Sequence, residues 1–367
     1  MGTINERKRA DGTKAYSAQI SLMRDGTIVH RESRTFNDRG IAKSWIEKRE
    51  KELAKPGGLD AAKIGKETLG DAIDKYIATS RKKIGRTKEQ VLASLKGMDV
   101  AKKRCAEVTS QTIIDLAEEL QAGRKPQTVN NYLSHLQAVF AVAKPALGFA
   151  LDPAAMDGAM EVCKRLGLIR KSEERGRRPT LDELDKLMKH FGVVESRRVG
   201  TAPMQKIIVF AIFSTRRQEE ITRIMWDDRE PGRVLVRDMK HPGDKKGNDT
   251  WCDLVPEAER IIDSMPKVAK EMFPVSTDAI SAAFTRACYA TGINTEEMPD
   301  DERLHFHDLR HDGVSRLFEM GLNIPQAAAV SGHRSWQSLK RYTHLRHTGD
   351  KYAGWKWLDE VTKQGDQ

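Results

Sequence analysis

The apolar residues of this 367-residue chain change period near its start, and that switch limits what it can fold into. In "KAYSAQISLM" they alternate, with Tyr16, Ala18, Ile20 and Leu22 on one side, the period of a half-buried strand. Asp25-Gly26 is a hairpin turn signal, because glycine takes positive φ cheaply, and "TIVHRESRTF" follows as the second strand. Asn37 is placed to cap a helix with Ile41, Ala42, Trp45, Ile46 and Leu53 on its apolar face. A sheet plus helix of ~55 residues is a viable small domain. "AKPGG" at 54–58 then breaks the pattern and predicts a linker over 56–65.

From there the spacing is helical. Thr68 opens a helix with Leu69, Ala72, Ile73, Tyr76 and Ile77 on one face; Thr87 opens another; Thr109 or Ser110 opens a third. Pro126 suits the first turn of a fourth, which carries Val129, Leu133, Leu136, Phe140 and Ala143. Residues 66–170 therefore read as a helical bundle. The charged stretch around 171–177 predicts a second linker, and "TLDE" (Thr180 to Glu183) is a capping box at the start of a third domain, 178–367. That domain is mostly helical, with one hairpin: "RVLVRDMK" and "TWCDLVP" flank the turn-rich "HPGDKKGN". The predicted fold class is mainly α with small β parts (α+β).

Charge narrows the partners. The chain carries +10, and residues 1–55 hold half of that surplus, with 13 Lys/Arg against eight Asp/Glu. A basic excess of this kind points to a polyanion, with nucleic acid as the default. Four well-separated cysteines without a CxxC pair fit free thiols in a reducing cytoplasm. No apolar run approaches the ~20 residues of a membrane span, and the charged N-terminus carries no apolar signal core.

Four stretches of the third domain place polar groups where packing alone would not ask for them. "FAIFSTRRQEE" runs a buried helix into Arg216 and Arg217, with Glu220 three residues past Arg217 to hold its guanidinium. The hairpin carries Lys240, Lys245 and Lys246, any of which could deliver a proton or bind phosphate. "HFHDLRHDG" (305–313) holds three histidines, two aspartates and Arg310 in nine positions; His305, His307 and His311 have ligand-like spacing, but Arg310 would set a fixed cation beside any metal. In "SGHRSWQSLKRYTHL", Tyr342 lies nine residues past His333, among cationic neighbours. Together these are the parts of a metal-free phosphodiester transesterification. Tyrosine can be the nucleophile, guanidiniums can grip non-bridging oxygens, a histidine can accept the phenolic proton, and a lysine can protonate the departing 5′-oxygen.

The order Arg217, Lys240, His307, Arg310, His333, Tyr342 resembles the tyrosine recombinase (phage integrase) family, whose set is Arg…Lys…His-x-x-Arg…His/Trp…Tyr. The family's first arginine sits in Thr-Gly-x-Arg-x-x-Glu; this chain has Ser214-Thr215-Arg216-Arg217-Gln218-Glu219-Glu220, so the spacing to Glu220 selects Arg217 and the glycine is missing. The resemblance implies Tyr342 as nucleophile, Arg217, Arg310 and His333 on the phosphate, His307 as base, Lys240 as acid and Glu220 in support. It extends upstream to "KPQTVNNYLSHLQAVF", typical of a core-binding domain over 66–170. Residues 1–55 resemble a small three-stranded arm-type DNA-binding domain.

The resemblance implies a site-specific recombinase, the integrase of a phage, integrative element or genomic island. It would join two duplexes at core and arm-type attachment sites through a 3′-phosphotyrosine and a Holliday junction. It implies a homotetramer on double-stranded DNA, with an excisionase and a DNA-bending host factor as candidate partners. No cofactor, metal or ATP is expected in the chemistry, and the place of action is the bacterial cytoplasm. The segment with Tyr352, Trp355, Trp357, Leu358 and Val361 resembles a helix that docks on a neighbouring protomer, and packing on its own domain is the alternative. Competing readings are a Xer-like resolvase, which the N-terminal module disfavours, a type IB topoisomerase, a non-catalytic DNA-binding regulator, and a metal nuclease built on Asp227, Asp228 and Glu230.

Overall fold

A computed structural model describes residues 2–9, 12–24, 27–55, 67–172, 175–197, 202–239 and 247–363. The expected turn at Asp25-Gly26, the 56–65 linker and the hairpin lysines Lys240, Lys245 and Lys246 lie outside the described residues. The chain divides into two compact units, Met1–Glu173 and Glu174–Gln367.

In the first unit, β1 (Thr3–Lys8), β2 (Lys14–Arg24) and β3 (Thr27–Phe36) form an antiparallel sheet in that order. Strand β1, "TINERK", has one apolar residue and so no legible alternation. Ala18 and Ile20 of β2 are fully buried against Ala42, Ile46 and Leu53 of α1 (Arg39–Leu53). Asp38, not Asn37, caps this helix, accepting from Ile41 N at 2.9 Å; Asn37 instead accepts from Arg9. A separate core gathers five helices: α2 (Leu69–Thr79), α3 (Arg86–Lys96), α4 (Ser110–Gln121), α5 (Pro126–Leu147) and α6 (Pro153–Arg165). Thr68 and Thr109 cap α2 and α4 as their sequence suggests, whereas α3 starts one residue before Thr87, after Gly85.

The second unit is built around α8 (Met204–Ser214), a helix buried continuously from Ile207 to Ser214 because that stretch is almost entirely apolar. Before it runs α7 (Leu181–Arg197), opened by the reciprocal Thr180–Glu183 bonds. After it come the short α9 (Gln218–Ile221) and an antiparallel sheet of β4 (Arg229–Glu230), β5 (Arg233–Val236) and β6 (Thr250–Asp253). Helices α10 (Pro256–Asp263), α11 (Thr277–Ala290), α12 (Phe306–Glu319), α13 (Ile324–Ser331) and α14 (Trp357–Thr362) complete it. The class is mainly α with two small sheets, as expected.

Helix α12 is the element that positions the site, and buried charge fixes it. Asp312 is fully buried and holds Arg178 at 2.6 Å, Lys351 at 2.8 Å and the hydroxyl of Tyr352. Arg175 forks onto Asp308 at 2.6 and 2.9 Å, and Asp308 also accepts from His305 N at the helix start. The segment after Tyr342 packs on its own unit: Tyr352, Trp355, Trp357 and Val361 are buried, and both tryptophan Nε1 groups donate to Asp185. Asp228, set aside as a nuclease candidate, is a buried partner of Arg237.

Gly313 lies where α12 meets α8. A Cβ there would overlap the carbonyl oxygen of Ile212, a backbone atom that cannot swing away. Gly313→Ala is therefore expected to lower the unfolding free energy by roughly 1–3 kcal/mol, the usual cost of overpacking. Urea unfolding of the full chain checks this, and an unchanged midpoint would refute the close approach.

Candidate active site

The turn between α8 and α9 brings in the first arginines. Thr215 stands where the family pattern has glycine, and it takes the left-handed conformation that glycine would take (φ 55°, ψ 23°). For a β-branched residue this backbone is costly. The surrounding contacts hold it there: Thr215 is fully buried, its hydroxyl donates to Ser214 O at 2.6 Å, and its carbonyl accepts from the Arg310 guanidinium. The missing glycine thus changes the residue and not the turn.

The two adjacent arginines diverge. Arg216 points inward with its side chain fully buried, donating to Ser214 O at 3.0 Å, to Cys252 Sγ at 2.8 Å and to Val330 O. Arg217 keeps 27% of its side chain exposed and donates from Nη1 to Glu220 at 2.7 Å. Glu220, 2% exposed, also accepts from Arg217 N and lies 3.9 Å from Arg216 and 3.8 Å from Arg310. One carboxylate thus sits among three guanidiniums. Burial disfavours its charge, but Arg216, Arg310 and Arg217 outweigh that, and its pKa falls below the ordinary value.

Arg310 comes from the second turn of α12 and reaches across to α13. Its Nη2 donates to Ser331 O at 3.1 Å and to the His333 ring at 3.2 Å, and Ser331 Oγ meets His333 Nδ1 at 2.7 Å. Gly332, at φ 69°, turns the chain so that His333 faces back; a Cβ there would strike Met239, Cys252 and Arg216. Burial, then Arg217 and Arg216, push Arg310 down from 12.5 to about 9, so it stays cationic at neutral pH. Burial, then Arg310, push His333 from 6.5 to about 3, so it is neutral. Three guanidiniums balanced by one carboxylate make a site that gains by taking in an anion.

Tyr342 lies in a single 3₁₀ turn after α13, 7% exposed, its ring stacked on Phe318 at 5.9 Å. Its hydroxyl meets His311 Nδ1 at 2.7 Å, and the His311 ring meets His307 edge-on at 4.9 Å. Burial, then His307 and Arg341, lower His311 from 6.5 to about 4. The structure therefore joins Arg217, Glu220, Arg310 and His333 directly, and joins Tyr342 to His307 through His311. Lys240 lies outside the described residues.

Sequence reading left His311 unassigned and gave Arg216 no role. The available signal for His311 was its i+4 spacing from His307 on one helix face. Arg216 carried no signal, because only the turn's geometry separates an inward arginine from an outward one.

Comparisons with known proteins bear on the family and the fold. The "Phage integrase family" model matches residues 254–348, which include His307, Arg310, His333 and Tyr342. A shufflon-specific DNA recombinase of Escherichia coli is 30% identical over 306 residues, 78% of this chain and 72% of that protein. In fold the chain resembles a lambda integrase tetramer bound to a Holliday junction (TM-score 0.57, 21% identity, 90% of this chain and 96% of that one). It also resembles the Tn1549 transposon integrase in complex with transposon right end DNA (TM-score 0.58, 16% identity, 76% and 95%).

The depressed histidines set a pH dependence of stability. Between about pH 6.5 and 5 the unfolded chain binds protons at His311 and His333 that the folded chain does not. Stability is therefore full above 6.5 and falls as pH drops, by up to roughly 1.4 kcal/mol per pH unit per histidine. Urea midpoints at pH 7.5, 6 and 5 are expected to decrease in that order, and His333→Gln is expected to flatten the series. A flat series for the unsubstituted protein would contradict the neutral assignment.

Proposed function

The chain belongs to the phage integrase family of tyrosine recombinases, enzymes that act on DNA, and from that premise we propose that it is an integrase. It would insert and excise a phage, integrative element or genomic island at specific attachment sites. The observation that carries this reading is the cationic cluster in which Arg217 and Arg310 share the buried Glu220, with His333 bonded to Arg310.

In the proposed reaction a scissile phosphate docks at this cluster, and Arg217 and Arg310 hold its non-bridging oxygens as charge grows on them. His333 lines the same side. Tyr342 attacks phosphorus, giving a 3′-phosphotyrosine and a free 5′-hydroxyl, which takes its proton from Lys240. The histidines 307 and 311 accept the phenolic proton. The 5′-hydroxyl of the partner strand then attacks the phosphotyrosine, so bond energy is conserved without ATP. Pairwise exchange through a Holliday junction within a homotetramer is the proposed course, and an excisionase and a bending factor would set direction. The lambda integrase structure, a tetramer on such a junction, supports that course by likeness of fold.

We assign residues 1–55 to arm-type sites, 66–170 to core sites and 178–367 to catalysis. The sheet face turned away from α1 supports the first assignment. By strand alternation it carries Thr3, Asn5 and Arg7, then Ser17, Gln19 and Ser21, then Arg31, Ser33 and Thr35. Among the described residues that face carries no carboxylate, and outside Ala15, Met23 and Ile28 it is polar and basic, while Glu6 and Glu32 fall on the other side, so it suits a phosphate-lined groove. The E. coli relative supplies a second reading, recombination confined to one shufflon-type element.

Tyr342→Phe is expected to bind core-site DNA normally and to form no covalent complex on a nicked suicide substrate, read as a shifted band on a denaturing gel. A covalent band from this variant would remove Tyr342 as nucleophile. Deleting residues 1–55 should lower affinity for arm-type repeats at least tenfold in a gel-shift titration and leave core-site cleavage in place. Equal arm affinity with and without the segment would sink that assignment.

A further inference from the structure

We infer that His311 is the immediate acceptor of the Tyr342 proton, with His307 standing one imidazole further back. This rests on the proposed transesterification and names a catalytic residue that the family pattern does not contain.

The geometry is direct. Tyr342 Oη lies 2.7 Å from His311 Nδ1, and the imidazole is held on a rigid helix rather than on a loop. Phe318 stacks on the phenol ring and the Arg341 guanidinium lies over it at 5.6 Å, and these contacts set the ring's tilt. Arg341 in turn donates to the carbonyl of Arg175, whose own guanidinium grips Asp308 on α12. The nucleophile's neighbour and the helix that bears both histidines are therefore anchored to one another. His307, four residues earlier on α12, meets His311 edge to ring and lines a pocket of about 370 Å³ together with His305 and Gln218. That places His307 at the pocket and His311 against the phenol.

The charged groups around His311 are His307, Asp308 and Arg310 on its own helix and Arg341 and Tyr342 from the facing turn. In the free protein burial and the cationic neighbours keep the imidazole neutral, which leaves Nδ1 able to accept. A phosphodiester bound at Arg310 would bring a negative charge close by, raising the basicity of His311 as the substrate arrives. In the step itself the phenolic O–H breaks and its proton passes to Nδ1. The oxygen's electron pair forms the bond to phosphorus, and the P–O5′ bond breaks with its pair leaving on the 5′-oxygen, which is protonated by the acid. In rejoining, His311 returns its proton to the departing phenolate.

The test uses the full chain, the nicked suicide substrate and single-turnover conditions. His311→Gln keeps a polar group at the phenol but cannot accept a proton. It is expected to bind DNA like the unsubstituted protein, to slow covalent-complex formation about 10²-fold or more, to lose the acid limb of the rate–pH profile, and to regain rate on adding imidazole. His307→Gln is expected to retain the acid limb. Normal rate and pH profile in His311→Gln would overturn the inference, as would loss of the acid limb in His307→Gln alone. If the glutamine variant melts early by circular dichroism, His311→Asn replaces it. Failure of the underlying reading looks different: the unsubstituted protein itself would give no covalent band.

Discussion

The carboxylate of Glu220 is the interaction on which the catalytic unit depends. Three guanidiniums, two of them almost wholly buried, converge on this one side chain, itself 2% exposed. Without the carboxylate the arginines would repel one another in a region with little water, and leaving buried charge uncompensated commonly costs several kcal/mol. With it, the cluster still carries excess positive charge. Folding therefore stops short of neutralising the site, and the remainder is available to a phosphate. The short α9 does this work with little helix, because its first residues place Glu220 under the backbone N–H of Arg217 as well as its side chain.

A second layer of buried charge holds α12 in register. Asp308 and Asp312 lie one turn apart, each fully buried, and each is met by an arginine from the 175–178 segment. Asp312 also ties down Lys351 and Tyr352, so the segment after the nucleophile is fastened to the helix that carries His307, Arg310 and His311. Arg316, on the same helix, is buried over the Phe213 ring and paired with Glu257 and Asp350. Ion pairs of this kind add little net stability over an apolar core, but they tolerate few alternative arrangements. For a site proposed to place two guanidiniums, an imidazole and a phenol around one phosphate, that specificity would matter more than the stability.

Much of this was legible in the sequence, for identifiable reasons. Alternation exposed β2 and β3, helical spacing exposed α2 to α5, and Thr68, Thr109 and Thr180 marked their helix starts through capping chemistry. Strand β1 was not legible, because an edge strand of polar residues has no apolar period to read. Asp38 displaced Asn37 as a cap, a one-residue choice that two adjacent capping residues leave open. At the site, the spacing to Glu220 picked out Arg217, and the inward course of Arg216 agrees with that choice. Asp308 serves the helix start, whereas Asp312 is an ion-pair hub, which only the folded positions of Arg178 and Lys351 reveal.

His311 shows where sequence reading stops. A motif marks positions whose identity is tied to the chemistry by spacing along the chain, and His307 and Arg310 fit that description. The contact between His311 and Tyr342 spans 31 residues and depends on how the 3₁₀ turn bearing Tyr342 packs beside α12. That packing is set by Phe318 stacking on the phenol and by Leu339 entering the small apolar cluster behind it. In the proposed reaction that phenol would lose its proton to the imidazole once the arginines held the phosphorus of a bound backbone. Holding and deprotonation would then be divided between two sides of one helix, since Arg310 faces the carboxylate and His333 and His311 faces the Tyr342 hydroxyl.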